Sequence, residues 1–197
     1  MKGKHVLLGC ALAALSANTM AADKTGSSYV GAEYTMLTVS PEFLPDLDLS
    51  ALGVRGGYYF NKYFSVEGRL AFGVGDDSIS EIVDIGFGPE TATLKFNLEY
   101  ALGVYAVGHI PLTEQFQLYG LVGLTQASVK VDAAIPSLGS DSNSYDDNSL
   151  SYGVGAEFDM TKNLSLGVEY VSYISDGDIE GLSYDSDGLG ITLNYLF

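Results

Sequence analysis

Along eight stretches of this chain, apolar side chains recur at every second position. In the third stretch, residues 64–73, the sequence FSVEGRLAFG places Phe, Val, Leu and Phe in one phase and Ser, Glu, Arg and Ala in the other. Successive side chains of a β-strand point to opposite faces, whereas a helix repeats every 3.6 residues. The pattern therefore predicts strands with one apolar and one polar face. The eight predicted strands cover about residues 28–39, 51–60, 64–73, 93–107, 116–131, 150–159, 164–173 and 188–197.

The orientation of the fifth predicted strand is left open by its sequence. Leu118, Val122 and Leu124 share one face, but Tyr119 and Leu121 make the opposite face comparably apolar. Because a strand shows only two faces, the sequence defines two orientations here and does not choose between them.

The connections between the predicted strands alternate in length. Those after the first, third, fifth and seventh strands contain about 11, 19, 18 and 14 residues, and the others contain two to eight. Outer-membrane barrels alternate long external loops with short periplasmic turns, and an even strand number lets the last strand pair with the first, which leaves no open edge in the bilayer. We therefore predict an all-β fold, an eight-stranded antiparallel up-and-down transmembrane β-barrel with both termini in the periplasm.

A soluble eight-stranded barrel or sandwich is the alternative fold, and it would bury the apolar face inward. Here the apolar face carries large residues on nearly every strand, while the opposite face carries Gly, Ser and charged residues. The narrow lumen of an eight-stranded barrel takes small and polar side chains, and lipid takes the large apolar ones. This distribution favours the membrane barrel.

Residues 1–22 have the order of segments of a cleaved leader. Two lysines precede an apolar run over residues 6–17, and small residues precede Asp23. A run of about 12 apolar residues is too short to cross a bilayer, which needs about 20, whereas it is typical of a secretory signal peptide. We predict cleavage after Ala21 or Ala22 and one barrel domain over residues 23–197.

Composition and charge narrow the classes of partner. The only cysteine, Cys10, lies in the predicted leader, so the mature chain has no disulfide and no cysteine metal site. Loss of Lys2 and Lys4 leaves 7 basic and 25 acidic residues, a formal charge of −18. Such a chain repels a phosphate backbone, and we expect no nucleic-acid partner. The 14 Tyr and 9 Phe residues suit a barrel with aromatic girdles.

Eight charged residues fall in the predicted lumenal phase of their strands. They are Glu33, Arg55, Glu67, Arg69, Lys95, Glu99, Glu157 and Glu169. An interior just wide enough for side chains forces such charges to pair, because an unpaired buried charge costs several kcal/mol. We predict a salt-bridged plug with Arg55 and Arg69 as its hubs; the alternative is that some of these residues lie near the rims and are hydrated.

The four long connections hold 17 acidic residues and no Lys or Arg. We interpret them as a solvated acidic surface. Oxygen ligands suit Ca²⁺ and Mg²⁺, so loose cation association is a second hypothesis, although the fragments 176–178 and 185–187 lack the spacing and the terminal Glu of a calcium loop.

No pattern in the chain indicates an enzyme. General-base catalysis near neutral pH favours an imidazole, and the mature chain has one histidine, His109, which the strand prediction places at a periplasmic turn beside Pro111. A phosphate-binding glycine motif with its lysine is also missing. We predict no catalytic residues, no cofactor and no metal.

The ending GITLNYLF over residues 190–197 and the opening YVGAEY over residues 29–34 resemble those of small outer-membrane barrels of the OmpA, OmpX and opacity-protein kind, the porin family. The resemblance implies that Leu193, Tyr195 and Phe197 form the signal read by the barrel-assembly machinery, after periplasmic chaperones have delivered the chain.

For function, the resemblance implies an integral protein of the Gram-negative outer membrane, in contact with lipid and lipopolysaccharide. We expect a monomer with a structural or adhesive role and a plugged lumen, a host or surface ligand at the acidic loops, and no peptidoglycan-binding domain after the eighth strand. A narrow cation-preferring channel is the alternative function.

Overall fold

The computed structural model describes residues 23–41, 45–84, 89–137, 139–179 and 182–197. The predicted signal peptide lies outside the described residues, as do Glu42 and Glu180 of the acidic connections. No helix in the described part of the chain is long and apolar enough to span a membrane.

Eight antiparallel strands form a closed barrel in the order of the sequence, since β1 pairs with β8 as well as with β2. The strands are β1 (Ser28–Pro41), β2 (Leu47–Asn61), β3 (Phe64–Asp84), β4 (Pro89–Pro111), β5 (Phe116–Ile135), β6 (Gly139–Asp159), β7 (Leu164–Ile179) and β8 (Leu182–Leu196). The predicted fold class and strand number are confirmed.

Most residues of the long connections predicted from the sequence form β-strand in the structure. Pairing continues outward until Ile135 meets Gly139 at the β5–β6 hairpin, so only 42–46, 85–88, 136–138 and 180–181 separate the paired strands at this end of the barrel. We call it the loop end, and the opposite end, with the short turns and both termini of the barrel, the turn end. The prediction of long loops is wrong because polar strands that project into water need no apolar alternation.

The strands differ in how far they extend. β3 to β6 contain 20 to 23 residues, whereas β1, β2, β7 and β8 contain 14 to 16. Since about 9–11 residues suffice for a tilted strand to cross a bilayer, the loop-end halves of β3 to β6 project beyond the membrane.

The outer face of the barrel is an apolar band between two sets of exposed aromatic residues. Those at the turn end are Tyr58, Phe60, Tyr63, Phe64, Phe158, Tyr195 and Phe197, and those toward the loop end are Tyr34, Phe72, Tyr152 and Tyr170. Phe64 and Phe72 lie eight residues apart on β3, or about 26 Å at about 3.3 Å per residue. With a strand tilt of about 40°, this corresponds to about 20 Å along the barrel axis, somewhat less than the apolar band of about 25 Å in outer-membrane barrels.

The barrel settles the orientation of the fifth strand. Val122 and Leu124 are exposed on the outer face, and Tyr119 and Leu121 are buried in the lumen. An eight-stranded lumen has room for some large side chains when their neighbours across the sheet are small, so both faces of β5 are apolar.

Near the middle of β4, the set of alternate residues whose side chains face the lumen changes from one phase to the other. Its pairing with β5 shifts register between Leu98 and Tyr100, and the extra residue of a β-bulge moves the following side chains to the opposite face. Tyr105 is buried on the turn side of the bulge, and Leu98 is buried on the loop side. Lys95 and Glu99 are exposed as a result, and the prediction that they point into the lumen is wrong.

Candidate functional site

The lumen is the candidate site because it contains a group of buried charged residues. Five of them meet midway along the barrel and form what we call the central cluster: Glu33, Arg55, Glu67, Arg69 and Glu169. None is more than 5% exposed. The period of two on β1, β2, β3 and β7 predicts their lumenal facing, and barrel closure brings them together.

The two arginines connect opposite walls of the barrel. Arg55 donates to Glu67 at 2.7 Å and to Glu169 at 3.0 Å through the same Nη2. Arg69 donates to Glu67 from Nε at 2.7 Å and to both oxygens of Glu169, the Nη2 bond being 3.1 Å. Charge-assisted bonds of this kind are about twice as strong as neutral ones, so the arginines tie β2 and β3 to β7 across the lumen.

Glu33 is the least satisfied member of the central cluster. Its Oε2 lies 3.7 Å from Arg55 Nε and 3.7 Å from Arg69 Nη1, and it accepts no hydrogen bond from the residues that the structure describes. The cluster therefore combines three carboxylates with two guanidinium groups and leaves one buried acceptor oxygen open.

Buried tyrosines that the sequence analysis did not single out complete the cluster. Tyr29 donates to Glu67 Oε2 at 2.5 Å, and Tyr119 donates to Glu169 Oε2 at 2.8 Å. The Arg69 guanidinium lies 4.7 Å from the centre of the Tyr105 ring, within the range of a cation–π contact. Their signal in the sequence is a tyrosine in the lumenal phase of a strand.

Tyr105 fits into the lumen because glycines flank it. A Cβ on Gly123 would meet the Tyr105 ring and the Val104 carbonyl oxygen, and a Cβ on Gly103 would meet the same ring. The large ring on β4 thus occupies space that two glycines leave open, and its hydroxyl bonds Thr125 Oγ1 at 2.6 Å.

A second polar group lies at the turn end of the lumen and is called the base cluster: Lys24, Gln117, Glu157, Asp159 and Asn194. Lys24 Nζ lies 2.9 Å from Glu157 Oε1 and 2.8 Å from Asp159 Oδ1. Gln117 and Asn194 donate to the two oxygens of Glu157 at 2.6 and 2.8 Å. Glu157, predicted as part of one network with the arginine hubs, is instead paired with Lys24.

Lys24 comes from the segment before β1, which the strand pattern did not cover. Burial by itself would lower the pKa of its ammonium group, but the carboxylates of Glu157 and Asp159 outweigh burial and raise the pKa above its ordinary value. The segment before β1 is therefore held in the barrel base by a charged side chain.

His109 lies in β4 and inside the lumen, so its predicted place in a periplasmic turn is wrong. β4 continues through His109, whose backbone N–H donates a hydrogen bond to the Tyr63 carbonyl oxygen at 2.8 Å. The ring lies between those of Tyr59 and Tyr119, with centroids 4.9 and 6.1 Å away. Its Nε2 bonds Ser65 Oγ at 2.8 Å, and its Nδ1 has no hydrogen-bond partner among the described residues.

The predicted assembly residues all lie on the outer face at the end of β8. Leu193, Tyr195 and Phe197 are 45%, 47% and 69% exposed. The Phe197 backbone N–H donates to the Ser28 carbonyl at 2.9 Å, which closes the barrel at the turn end.

The acidic residues of the predicted loops lie mainly on the strand extensions of the loop end. Lys130 Nζ lies 3.5 Å from Asp132 Oδ1 in an exposed ion pair. In the part of the chain that the structure describes, no three His, Cys, Asp or Glu side chains are grouped so as to hold a metal ion.

Comparison with known proteins agrees with this architecture. The family model of the outer membrane protein beta-barrel domain matches residues 7–197, and the chain belongs to that family. It is thus an outer-membrane β-barrel protein of the Gram-negative type. No curated protein matches the sequence.

Solved structures with the same fold have low sequence identity. Neisserial surface protein A has 19% identity and a TM-score of 0.59, over 85% of this chain and 96% of that chain. Ail of Yersinia pestis, in complex with the heparin analogue sucrose octasulfate, has 21% identity and a TM-score of 0.55, over 87% and 99%. OprG of Pseudomonas aeruginosa has 17% identity and a TM-score of 0.51, over 88% and 96%. At these identities the likeness concerns the fold.

Proposed function

We propose that this protein is a non-conducting structural barrel of the outer membrane that presents its acidic loop end to the cell exterior. The observation that carries the proposal is the central cluster. Its ion pairs run from β2 and β3 to β7, with tyrosines from β1, β4 and β5 around them. The base cluster adds a second barrier nearer the turn end. Two successive layers of bonded side chains among the described residues support a lumen that does not pass a hydrated solute.

Single-channel recording tests this proposal. The purified barrel in planar bilayers is expected to give no stable channels, whereas the Arg55→Ser/Arg69→Ser double variant, which loses both hubs, is expected to give small cation-preferring currents through the remaining carboxylates. Lys130→Ser is the matched control, because it also removes a cation but from an exposed pair at the loop end. Small, stable, cation-preferring currents from the wild type would favour a narrow cation-preferring pore instead, and large stable channels would exclude the plug.

The proposed orientation places the turn end in the periplasm. Support comes from the short turns of that end and from the projection of β3 to β6 at the other. Because Cys10 lies in the predicted leader, single cysteines can be introduced at Ser137 of the loop end and Lys162 of the turn end. A membrane-impermeant maleimide on intact cells is expected to label Ser137→Cys and not Lys162→Cys; the reverse labelling contradicts the orientation.

The loop end supports a surface-interaction role with cationic partners. Exposed carboxylates such as Asp141 and Asp146 dominate it, so a polyanion meets repulsion and a cationic segment meets attraction. Ail carries a heparin analogue in its structure, and the carboxylates at the loop end of this chain would repel such a polyanion. An oligolysine peptide is expected to bind the vesicle-reconstituted barrel with strong salt dependence, and a heparin fragment is expected not to bind.

A catalytic role is not part of the proposal. Ser65 and His109 are within hydrogen-bond reach, but both are buried in the lumen between aromatic rings, and no carboxylate among the described residues bonds His109 Nδ1. A serine–histidine catalyst needs an orienting group on that nitrogen and access for substrate. The pair therefore supports packing of the barrel base.

A further inference from the structure

Above the central cluster, the loop-end half of the lumen contains a cavity of about 550 Å³. An eight-stranded barrel normally fills its interior with side chains. Here small residues face the lumen at one level, among them Ala51, Ala71, Ala101 and Ala127, and they leave the space open.

The walls of this cavity are apolar. Leu37, Leu49 and Val129 line it from β1, β2 and β5. Phe96 and Leu98, whose phase in the sequence points to lipid, line it from β4 because of the bulge. A concave apolar surface of this size inside a rigid scaffold is typical of small-molecule sites, which measure about 300–1,000 Å³.

The floor of the cavity is polar and acidic. Glu33 and Arg69 lie at its base. Arg69 directs its bonds to Glu67 and Glu169, whereas Glu33 Oε2 is buried and accepts no hydrogen bond in the described part of the chain. The floor therefore offers a ligand an acceptor at Glu33, because the open donor of the central cluster, Arg55 Nε, belongs to a side chain that does not line the cavity. The three carboxylates of the central cluster outnumber its two guanidinium groups.

The dimensions and the charge of the cavity together define the kind of ligand that it can bind. On β1, Val39 lies six residues beyond Glu33, which is about 20 Å along the strand at about 3.3 Å per residue, and both residues line the cavity. Asp147 lines the cavity from β6. An anion in the cavity therefore meets acidic groups both at the floor and on the wall above it. An elongated apolar chain that ends in a hydrogen-bond donor matches the walls and the floor.

We propose that the loop-end cavity binds an aliphatic molecule whose polar end is a hydrogen-bond donor directed at Glu33, with a primary amine as the strongest form. The chain lies along the alanine- and leucine-lined walls, and the amine donates to Glu33 Oε2. The cavity extends above the central cluster and shares only its floor residues Glu33 and Arg69 with it, so binding does not require that the lumen conducts.

Methyl NMR of the barrel in phosphatidylcholine nanodiscs tests the proposal with decylamine, decanol and decanoate. Decylamine is expected to shift the methyl signals of Leu49 and Val129 saturably, while those of lipid-facing Leu52 and Val122 stay in place. Decanol is expected to bind more weakly than decylamine. Decanoate is expected to bind at least about tenfold more weakly than decylamine, since like charges face each other at the floor. Equal, non-saturating shifts at both sets of methyl groups mean partition into lipid and overturn the proposal.

Two variants separate the cavity from the membrane. Ala127→Phe fills the cavity and is expected to abolish the shifts, whereas Ala32→Phe adds the same group on the exposed outer face and is expected to leave them unchanged. Glu33→Gln is expected to remove the preference for decylamine over decanol. If Ala127→Phe fails to fold, Ala51→Leu narrows the same cavity with a smaller side chain. Undiminished binding in a folded cavity variant overturns the proposal.

Discussion

Arg69 on β3 and Glu169 on β7 lie four strands apart around the barrel, yet they form a two-pronged ion pair across the lumen. The pair is buried at both ends. A guanidinium fork matches the two oxygens of a carboxylate, so this contact fixes the distance between opposite walls. It joins strands that share no backbone hydrogen bonds.

Loss of one partner of this pair is expected to destabilise the barrel strongly. Arg69→Met leaves the carboxylates of Glu67 and Glu169 with fewer partners in a buried site, which costs about 3–5 kcal/mol. The free energy of unfolding is measured by urea titration in lipid vesicles, with folded protein read from its faster migration on unboiled gels.

The matched control for Arg69→Met is Lys130→Met, which breaks an exposed pair. Such pairs contribute at most about 1 kcal/mol, so its titration curve is expected to stay close to that of the wild type. Equal effects of the two substitutions would contradict a structural role of the central cluster.

Lys24 is expected to stabilise the barrel base in a pH-dependent way. Lys24→Met leaves buried carboxylate oxygens of the base cluster without their cation, and we expect a loss of about 1–3 kcal/mol in the free energy of unfolding. The raised pKa of Lys24 means that its contribution is complete below the unfolded value of 10.5 and declines as the pH rises further.

Urea titrations of wild type and Lys24→Met between pH 7 and pH 12 check this sign. The gap between them is expected to stay constant to about pH 10 and then to narrow. Lys62→Met, in the exposed β2–β3 turn, serves as control and is expected to produce little change. A gap that widens at high pH would exclude the proposed ion pair.

The packing around Tyr105 is expected not to tolerate the addition of a single methyl group at a neighbouring glycine. Gly123→Ala places a Cβ against the Tyr105 ring and the Val104 carbonyl oxygen, and overpacking of this kind costs about 1–3 kcal/mol. Gly68→Ala is the control because nothing lies within 4 Å of its Cβ; it is expected to be neutral or stabilising. Thermal unfolding in the same detergent compares the two, and similar midpoints would argue against close packing at Tyr105.

Phe197 is expected to act in assembly more than in stability. Phe197→Ala removes an aromatic side chain from the outer face, so the purified and refolded barrel is expected to unfold nearly as the wild type does. In cells, the amount of folded protein in the outer membrane is expected to fall.

Phe60→Ala removes another aromatic residue of the turn end, 61% exposed against 69% for Phe197. It is expected to assemble normally, because it lies outside the terminal strand. If both variants accumulate equally, the ending of β8 is not a distinct signal.

Several features of the lumen followed from the sequence because strand alternation is local. Arg55 on β2 and Arg69 on β3 face inward as the period of two predicts, and so do Glu67 and Glu169. The prediction was wrong at Lys95 and Glu99 because the bulge in β4 arises from its register with β5. No property of residues 93–107 taken alone requires an extra residue at that position.

Lys24 was not identified from the sequence and His109 was misplaced, for related reasons. Lys24 lies before the first alternating segment, and only barrel closure brings Glu157 and Asp159 of β6 to it. His109 follows the last clear alternation of β4, and pairing with Tyr119 of β5 extends the strand through it.

The sequence by itself determined that eight strands alternate, that one face of each meets lipid, and that most charges on the other face are enclosed. Only the tertiary structure decided which charges meet, because contacts across a lumen depend on the register between strands and on closure of the ring. The same closure separates Glu157 from the arginines and opens the apolar cavity above Glu33. Alternation assigns a side chain to a face of the sheet, and register assigns it a height within the barrel.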